Sequence, residues 1–308
     1  MLKFFLKKFF YALLIFIIII IISFFSLKLI PADPIDSMFG SKSPTPLERA
    51  RIEKELGLNI PISEQFIKYL KNIFFKFDFG NSYFGDKPKA LEVFLKAFKS
   101  TFLLSIMSCL FGSLIGIFLG VLSSVFDNNS KKNILLNFFF TLILSSPVFI
   151  IGFLLQYYLG NRYGLFPLTG FENIHEMFLP ILTLSLIVSS SIFRITKVNM
   201  EECLQQPYIM TAYAKGLSKK TIIFKHALKN ILFIILVHIS LIYSSLISGA
   251  IITESIFNIK GIGNLMISAF NERNYPVIQC CIIMISLLII TFNLFFELIY
   301  IYLNPRNK

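Results

Sequence analysis

The feature that most limits what this chain can fold into is a succession of apolar stretches, each long enough to cross a bilayer. Residues 9–30 form an almost unbroken apolar run behind a basic start at Lys3, Lys7 and Lys8. A hydrocarbon core about 30 Å thick needs about 20 helical residues, so this run is long enough to span. It exceeds the apolar length of a secretory leader and no small-residue cleavage pattern follows, so an uncleaved first span with a cytoplasmic N-terminus is expected. Further runs occupy residues 101–125, 134–159, 179–197, 231–252 and 277–303. With 56% hydrophobic and only 15% charged residues, the chain lies outside the range of ordinary soluble domains. The expected fold is an all-α integral membrane protein of six transmembrane helices, with a helical extracytoplasmic cap between helices 1 and 2. The expected organisation is a first helix and N-terminus over 1–30, the cap over 31–99 and a membrane core over 100–303. That core contains a cytoplasmic loop at 198–230, and a basic cytoplasmic tail at 304–308 ends the chain.

Local signals refine this outline. In the cap, Thr45-Pro46-Leu47-Glu48 reads as a helix start, and residues 63–75 as a second short helix with Phe66, Ile67, Leu70 and Phe74 on one face. Gly112, Gly116 and Gly120 recur every four residues, which allows another helix to approach closely. Ser145-Ser146-Pro147 breaks the third span, Pro180 opens the fourth, and Arg194 and Lys197 snorkel to the inner interface.

The main polar interruption of the second half is residues 205–230. Pro207 can open a helix, Gly216 can end it because glycine tolerates positive φ, and Ser218 can cap the next one. The result is a short helix, a tight corner and a second helix, with Lys219, Lys220, Lys225 and Lys229 marking the basic, inner side.

Catalytic patterns are missing from the sequence. It holds no G-x-x-x-x-G-K-[ST], H-E-x-x-H or G-x-S-x-G, and Cys109, Cys203, Cys280 and Cys281 lack metal-ligand spacing. No cofactor and no metal are expected. The net charge of +12 comes from lysines flanking apolar runs, which fits membrane topology and lipid contact rather than nucleic acid. Four polar residues stand out in or beside the spans. Gln156 either lines a path or bonds a neighbouring helix. His238 packs or lines a cavity, Glu254 is a candidate of either kind, and Glu297 is paired, snorkelling or functional. Groups of this sort motivate an ion-gradient-driven carrier as an alternative function, although several at matching depth are lacking.

The motifs then carry a resemblance. Tyr208 to Leu217 and His226-Ala227-Leu228-Lys229-Asn230 resemble Y-V-R-T-A-R-A-K-G-L and H-A-L-R-N of permease subunits of binding-protein-dependent ABC importers, in the dipeptide/oligopeptide/nickel branch. Leu29-Ile30-Pro31-Ala32-Asp33-Pro34, Glu55-Leu56-Gly57-Leu58, Asp78-Phe79-Gly80-Asn81-Ser82 and Ser145-Ser146-Pro147-Val148-Phe149 are similar to further family segments in order. So are Glu254, Phe257, Gly261 and Gly263, then Arg273-Asn274-Tyr275-Pro276 with Gln279, and Asn304-Pro305-Arg306. Met210-Thr211-Ala212 stands where the broader signature has Glu-Ala-Ala. The resemblance implies a type I importer permease of the bacterial inner membrane, not itself an enzyme. It implies alternating access driven by two ABC ATPase subunits, beside a second related permease and an extracytoplasmic solute-binding protein. Peptides are the implied substrate, with nickel or a nickel chelate as the alternative. It also implies a coupling helix docking on the ATPase through Thr211, Ala212, Ala214, Lys215, Gly216 and Leu217, with His226 and Asn230 securing the helix that follows.

Overall fold

Long apolar runs in a medium without water must satisfy their backbone groups internally, and helices do so. The structure, a computed structural model, describes residues 2–29, 34–39, 44–57, 59–127, 130–247 and 250–303. Among these residues it is helical with no strand, only an isolated bridge between Asn81 and Lys89. Five helices are long and apolar enough to cross a membrane: within α1 (Leu2–Leu29), α5 (Ala90–Val125), α8 (Ile174–Leu204), the run from α10 (Lys219–Thr221) through α11 (Lys229–Ile247), and α14 (Tyr275–Leu303). The pair α6 (Lys131–Ser145) and α7 (Val148–Leu155), which continues in a wide turn to Arg162, becomes the sixth if taken as one broken span. The helix direction bends by 108° between its two limbs. The break falls at the expected place, because Ser146 is extended and Pro147, lacking an N–H, can only begin a helix.

Two helices begin earlier than their apolar runs. α5 starts at Ala90 because Ala90, Phe94 and Ala97 recur at helical spacing and are buried. α8 starts at Ile174, where Asn173 and Glu176 form a reciprocal capping box. Pro180 therefore lies inside α8 and does not open it.

The chain divides into two compact units. The first comprises residues 1–100 and 260–290. Here α2 (Pro34–Phe39), α3 (Pro46–Leu56) and α4 (Ile62–Lys71) form the cap, and α13 (Ile262–Asn271) with the first part of α14 completes the unit. Ile73, Phe79, Phe94, Ile262, Cys280 and Ile283 share its core. Two motif segments far apart in the chain meet in this unit. The Asn274 amide donates to Ser82 Oγ at 2.8 Å and accepts the Tyr83 N–H at 3.2 Å. Gly80 packs at the same point, where an added Cβ would lie 3.6 Å from Pro276.

The start of α3 follows its sequence signal. Thr45 Oγ1 accepts the Glu48 N–H at 3.3 Å while the Thr45 N–H and hydroxyl both donate to the Glu48 carboxylate, at 2.9 and 2.6 Å. Those bonds hold the Glu48 carboxyl below the usual carboxylate range, the hydroxyl bond contributing most. A depressed folded-state value stabilises the cap above the unfolded value and is lost as pH falls through the folded one. Intrinsically corrected amide protection of α3 is expected to fall with acidification through the carboxylate range. Glu48→Gln should flatten that pH response.

The second unit comprises residues 101–259 and 291–308. Its helices include α9 (Pro207–Ala214) and α12 (Ile251–Ile256). Gly112, Gly116 and Gly120 of α5 lie directly against α8. Cβ atoms added there would sit 2.6 Å from Val188 Cβ, 2.7 Å from the Ser189 carbonyl and 2.7 Å from Thr196 Cβ. Beside this seam, Phe140 of α6 stacks on Phe193 of α8 with ring centroids 4.2 Å apart. The expected motif pieces at Pro31 to Asp33, Leu58 and Asn304 to Arg306, and the basic tail, lie outside the described residues. So does the Glu297 side chain.

Candidate functional site: the elbow after α8

α8 runs out at Leu204, and two residues later the chain begins α9 on extended Gln206, with Pro207 at the first helical position. The end of α9 is closed by the bonding pattern that a left-handed residue permits. Gly216 has φ +76, its N–H reaches the Tyr213 carbonyl at 2.9 Å, and the Leu217 N–H reaches the Ala212 carbonyl at 3.3 Å. This is a Schellman closure, which satisfies the last carbonyls and reverses the chain in one residue. Ser218 then caps the following turn, its Oγ accepting the Thr221 N–H at 3.3 Å. A wide turn over Ile222–Leu228 leads into α11. Corner, opening proline and cap all stand where the sequence places them.

Packing makes the elbow two-faced. Ile209, Ala212, Ile222, Ala227 and Ile231 are buried in one cluster with Met200, Cys203 and Ile192 of α8. Each such apolar side chain removed from water contributes about 1.5–3 kcal/mol, less for alanine, so the inner face is firmly seated. Ala212 is only 7% exposed. Expected among the docking contacts, it instead faces inward, because the 3.6-residue repeat puts it on the side of Ile209. Thr211, Ala214, Lys215, Gly216 and Leu217 are exposed, and Met210 and Tyr213 stand out at 64% and 47%. Those two outward apolar residues were not picked out from sequence; the i, i+3 spacing from Met210 was the available signal. The exposed face is therefore apolar at its centre, with Lys215, Lys219 and Lys220 beside it.

A polar strap ties the elbow to both adjoining helices. The Tyr208 hydroxyl accepts from Asn230 Nδ2 at 2.7 Å and lies 2.9 Å from the Cys203 thiol. Burial, and then the neighbouring thiol, push its phenol above the usual tyrosine range, so it stays neutral. Asn230 thus joins the start of α11 to α9, while His226 sits half-buried in the wide turn. Tyr208→Phe removes a bond worth about 1 kcal/mol. It is expected to speed hydrogen exchange of the α9 amides at unchanged protein level, as read by exchange mass spectrometry and immunoblot.

The remaining polar candidates do not gather at one site. Gln156 donates to the backbone carbonyls of Leu168 and Ile256, at 2.7 and 3.1 Å, so its amide bonds neighbouring segments. The His238 ring nitrogen lies 2.8 Å from Ser191 Oγ, joining α11 to α8. Glu254 is fully buried and accepts the Thr101 hydroxyl at 2.6 Å. Lys197 does not snorkel as expected. It donates to Asn137 Oδ1 at 2.9 Å and pairs with Glu201 at 3.7 Å, tying α6 to α8, because uncharged amide acceptors lie within its reach. Arg194 is exposed. All four cysteines are free and buried, and no cluster with metal-ligand character occurs among the described residues.

Fold and site together define a polytopic helical membrane protein with a two-faced elbow between two spans, and no catalytic group is assembled among the described residues. Comparison with known proteins says which kind. The profile described as "Binding-protein-dependent transport system inner membrane component" matches residues 112–308, and its N-terminal companion matches residues 1–99. The chain belongs to this family: it is a permease subunit of a binding-protein-dependent ABC importer, not an enzyme, and ATP hydrolysis belongs to partner subunits. A "Probable peptide ABC transporter permease protein" of Sinorhizobium fredii is 34% identical over 295 residues, 92% of each chain. A "Dipeptide transport system permease protein" of Alkalihalophilus pseudofirmus is 32% identical, over 93% of each chain. A "Glutathione transport system permease protein" of Pectobacterium atrosepticum is 30% identical over 100% of this chain and 99% of its own. An inward-facing structure of the MetNI methionine ABC transporter overlays 70% of this chain and 97% of its own with a TM-score of 0.60. At 16% identity that likeness concerns the fold alone, which is that of a type I importer permease. The ion-gradient alternative gives way to this family membership.

Proposed function

We propose that this chain forms one half of the pathway of a peptide importer, and that the elbow receives the movement of an ATPase subunit. The observation that carries the reading is the two-faced corner at Gly216: buried and strapped within, apolar and basic without. Such a piece transmits a push without folding away from it. Thr211, Ala214, Lys215, Gly216 and Leu217, with Met210 and Tyr213, supply the docking face. Ala212 seats it, and His226 and Asn230 hold the next helix. In this reading the elbow and both termini are cytoplasmic, residues 31–99 receive a solute-binding protein outside, and the core of 100–303 pairs with a second, related permease above two ATPases. Closure of the ATPases would then rock the spans between inward and outward access. Peptides are the favoured substrate because the relatives named above are peptide, dipeptide and glutathione permeases.

The test uses the burial of the native thiols, which leaves an added cysteine as the reactive one. Leu217→Cys in the assembled transporter should react with an impermeant maleimide only in inside-out vesicles, and should cross-link to the ATPase subunit. Reaction in right-side-out vesicles would reverse the topology. Inside-only reaction without any cross-link would remove the docking role.

A further inference from the structure

The cap helix α4 is fixed at a particular depth. Its inner side packs on the last turns of the span α1: the Phe66 and Tyr69 rings each lie 5.2 Å from the Phe24 ring, Phe66 lies 5.4 Å from Phe25, and Lys28 donates to Gln65 at 2.7 Å. The span reaches Leu29, so these contacts fall within its final six residues, about 8 Å of helix at 1.5 Å per residue. That is the depth at which interfacial helices lie, with apolar faces about 5–10 Å into the headgroup boundary.

α4 has more apolar surface than this packing uses. Ile67 is 53% exposed, and beyond the helix Phe74 and Phe75 are 49% and 85% exposed. With Leu70 and Lys71 they line an open groove that is apolar apart from that lysine. The opposite edge is polar: Gln65, Lys68 and Asn72 face a crevice of about 290 Å³ that also takes in Lys28. Exposed Lys71 and Lys76 flank the apolar side. The exposed apolar stripe of α1, including Ile18, Ile22 and Phe25, belongs to a helix long enough to sit in a bilayer, and it continues through Phe66 of α4.

We infer that α4 and the turn after it lie in the leaflet on the cap side, inserting Ile67, Phe74 and Phe75 among the acyl chains while Lys68, Lys71 and Lys76 meet anionic headgroups. A soluble cap held above the membrane would bury or replace three such residues. A cap pinned to the end of a span has a hydrocarbon surface within reach of them. The anionic class follows from the basic flanks, whose attraction to negative headgroups adds to apolar insertion.

The chain contains no tryptophan, so Phe74→Trp supplies the chain's only indole. The assembled transporter, with its partner subunits made tryptophan-free, is reconstituted in vesicles containing phosphatidylglycerol, with or without lipid brominated near the headgroup. The Phe74→Trp protein should emit at short wavelength, lose most of its emission to brominated lipid and be little affected by aqueous iodide. Leu47→Trp, on exposed α3, should behave oppositely. Iodide quenching without bromolipid quenching at position 74 would overturn the inference and leave the surface to water or a soluble partner. A short-wavelength emission that neither quencher reaches would also overturn it, placing a protein subunit there. Depth is read without transport, so failure here leaves the import reading untouched.

Discussion

Gly116→Leu is expected to leave little folded permease in the membrane. At Gly116 the first added carbon already meets the Ser189 carbonyl at 2.7 Å and Ile192 Cβ at 2.8 Å. Neither can step aside, since one is backbone and the other is attached to it. Overpacking of this kind costs about 1–3 kcal/mol, and the remainder of a leucine side chain takes it beyond that. The neighbouring glycines are equally tight, with the Ser185 carbonyl 2.8 Å from a Cβ at position 112 and the Phe193 carbonyl 3.0 Å from one at position 120. Separating α5 from α8 at the middle position therefore opens the seam at all three. Gly116→Ala should fall between, with an unfolding temperature in detergent lowered by several degrees. Adding Ile192→Ala should not restore it, because alanine keeps the Cβ and the Ser189 carbonyl remains. Wild-type thermal stability in Gly116→Leu would show that the two helices are not held as closely as described.

Gly216→Val should produce the opposite division of effects: normal amounts of protein and little transport. Nothing lies within 4 Å of a Cβ added at Gly216, so sterics with the rest of the chain are not the issue. The cost is the left-handed φ of +76, about 1–2 kcal/mol for a residue with a Cβ and more for a β-branched one. The chain can relieve it by opening the Gly216 and Leu217 bonds to Tyr213 and Ala212, which undoes the corner but not the membrane core. A shift of about 1.4 kcal/mol lowers the ratio of correctly turned to opened elbow roughly tenfold, and uptake should fall with it. Gly216→Asn, better tolerated in this conformation, should retain most of the activity. Uptake of a labelled dipeptide, with partner ATPase activity measured in parallel, separates uncoupling from loss of assembly. Undiminished uptake in the valine variant would end the case for coupling at this corner.

What the sequence made legible were features decided within a few residues. The reciprocal bonds of Thr45 and Glu48, the Pro207 start, the Gly216 corner, the Ser218 cap and the break before Pro147 each need only neighbouring chemistry, and each was readable. The four-residue glycine repeat announced a close helix contact, although not that α8 would be the partner. Contacts across long stretches of chain were hidden. Thr101 and Glu254 are 153 residues apart, and Ser82 and Asn274 are 192 apart, so no local pattern marks either pair. Lys197 shows the same limit: at the end of an apolar run a lysine ordinarily reaches for water, and only the fold brings Asn137 to it. The start of α5 was obscured by Lys96 and Lys99, whose charges masked a helical burial pattern in the same segment. In the elbow, the corner was evident, but the inward turn of Ala212 depended on the phase of α9 against α8.

The glycine seam also has a mechanical meaning. Two helices whose backbones meet over three successive turns behave as a single stiff beam, since any sliding would drive Val188, Ile192 and Thr196 into main-chain atoms. Whatever bends during a transport cycle must then do so elsewhere in this unit. The candidates are the places where the regular hydrogen-bond ladder is already interrupted: the sharply bent joint at Ser146 and Pro147, and the loosely wound turn between Ile222 and Leu228. The beam ends four residues after Met200 at the foot of α8, directly above the elbow, so a force applied there would reach its far end with little lost to flexing.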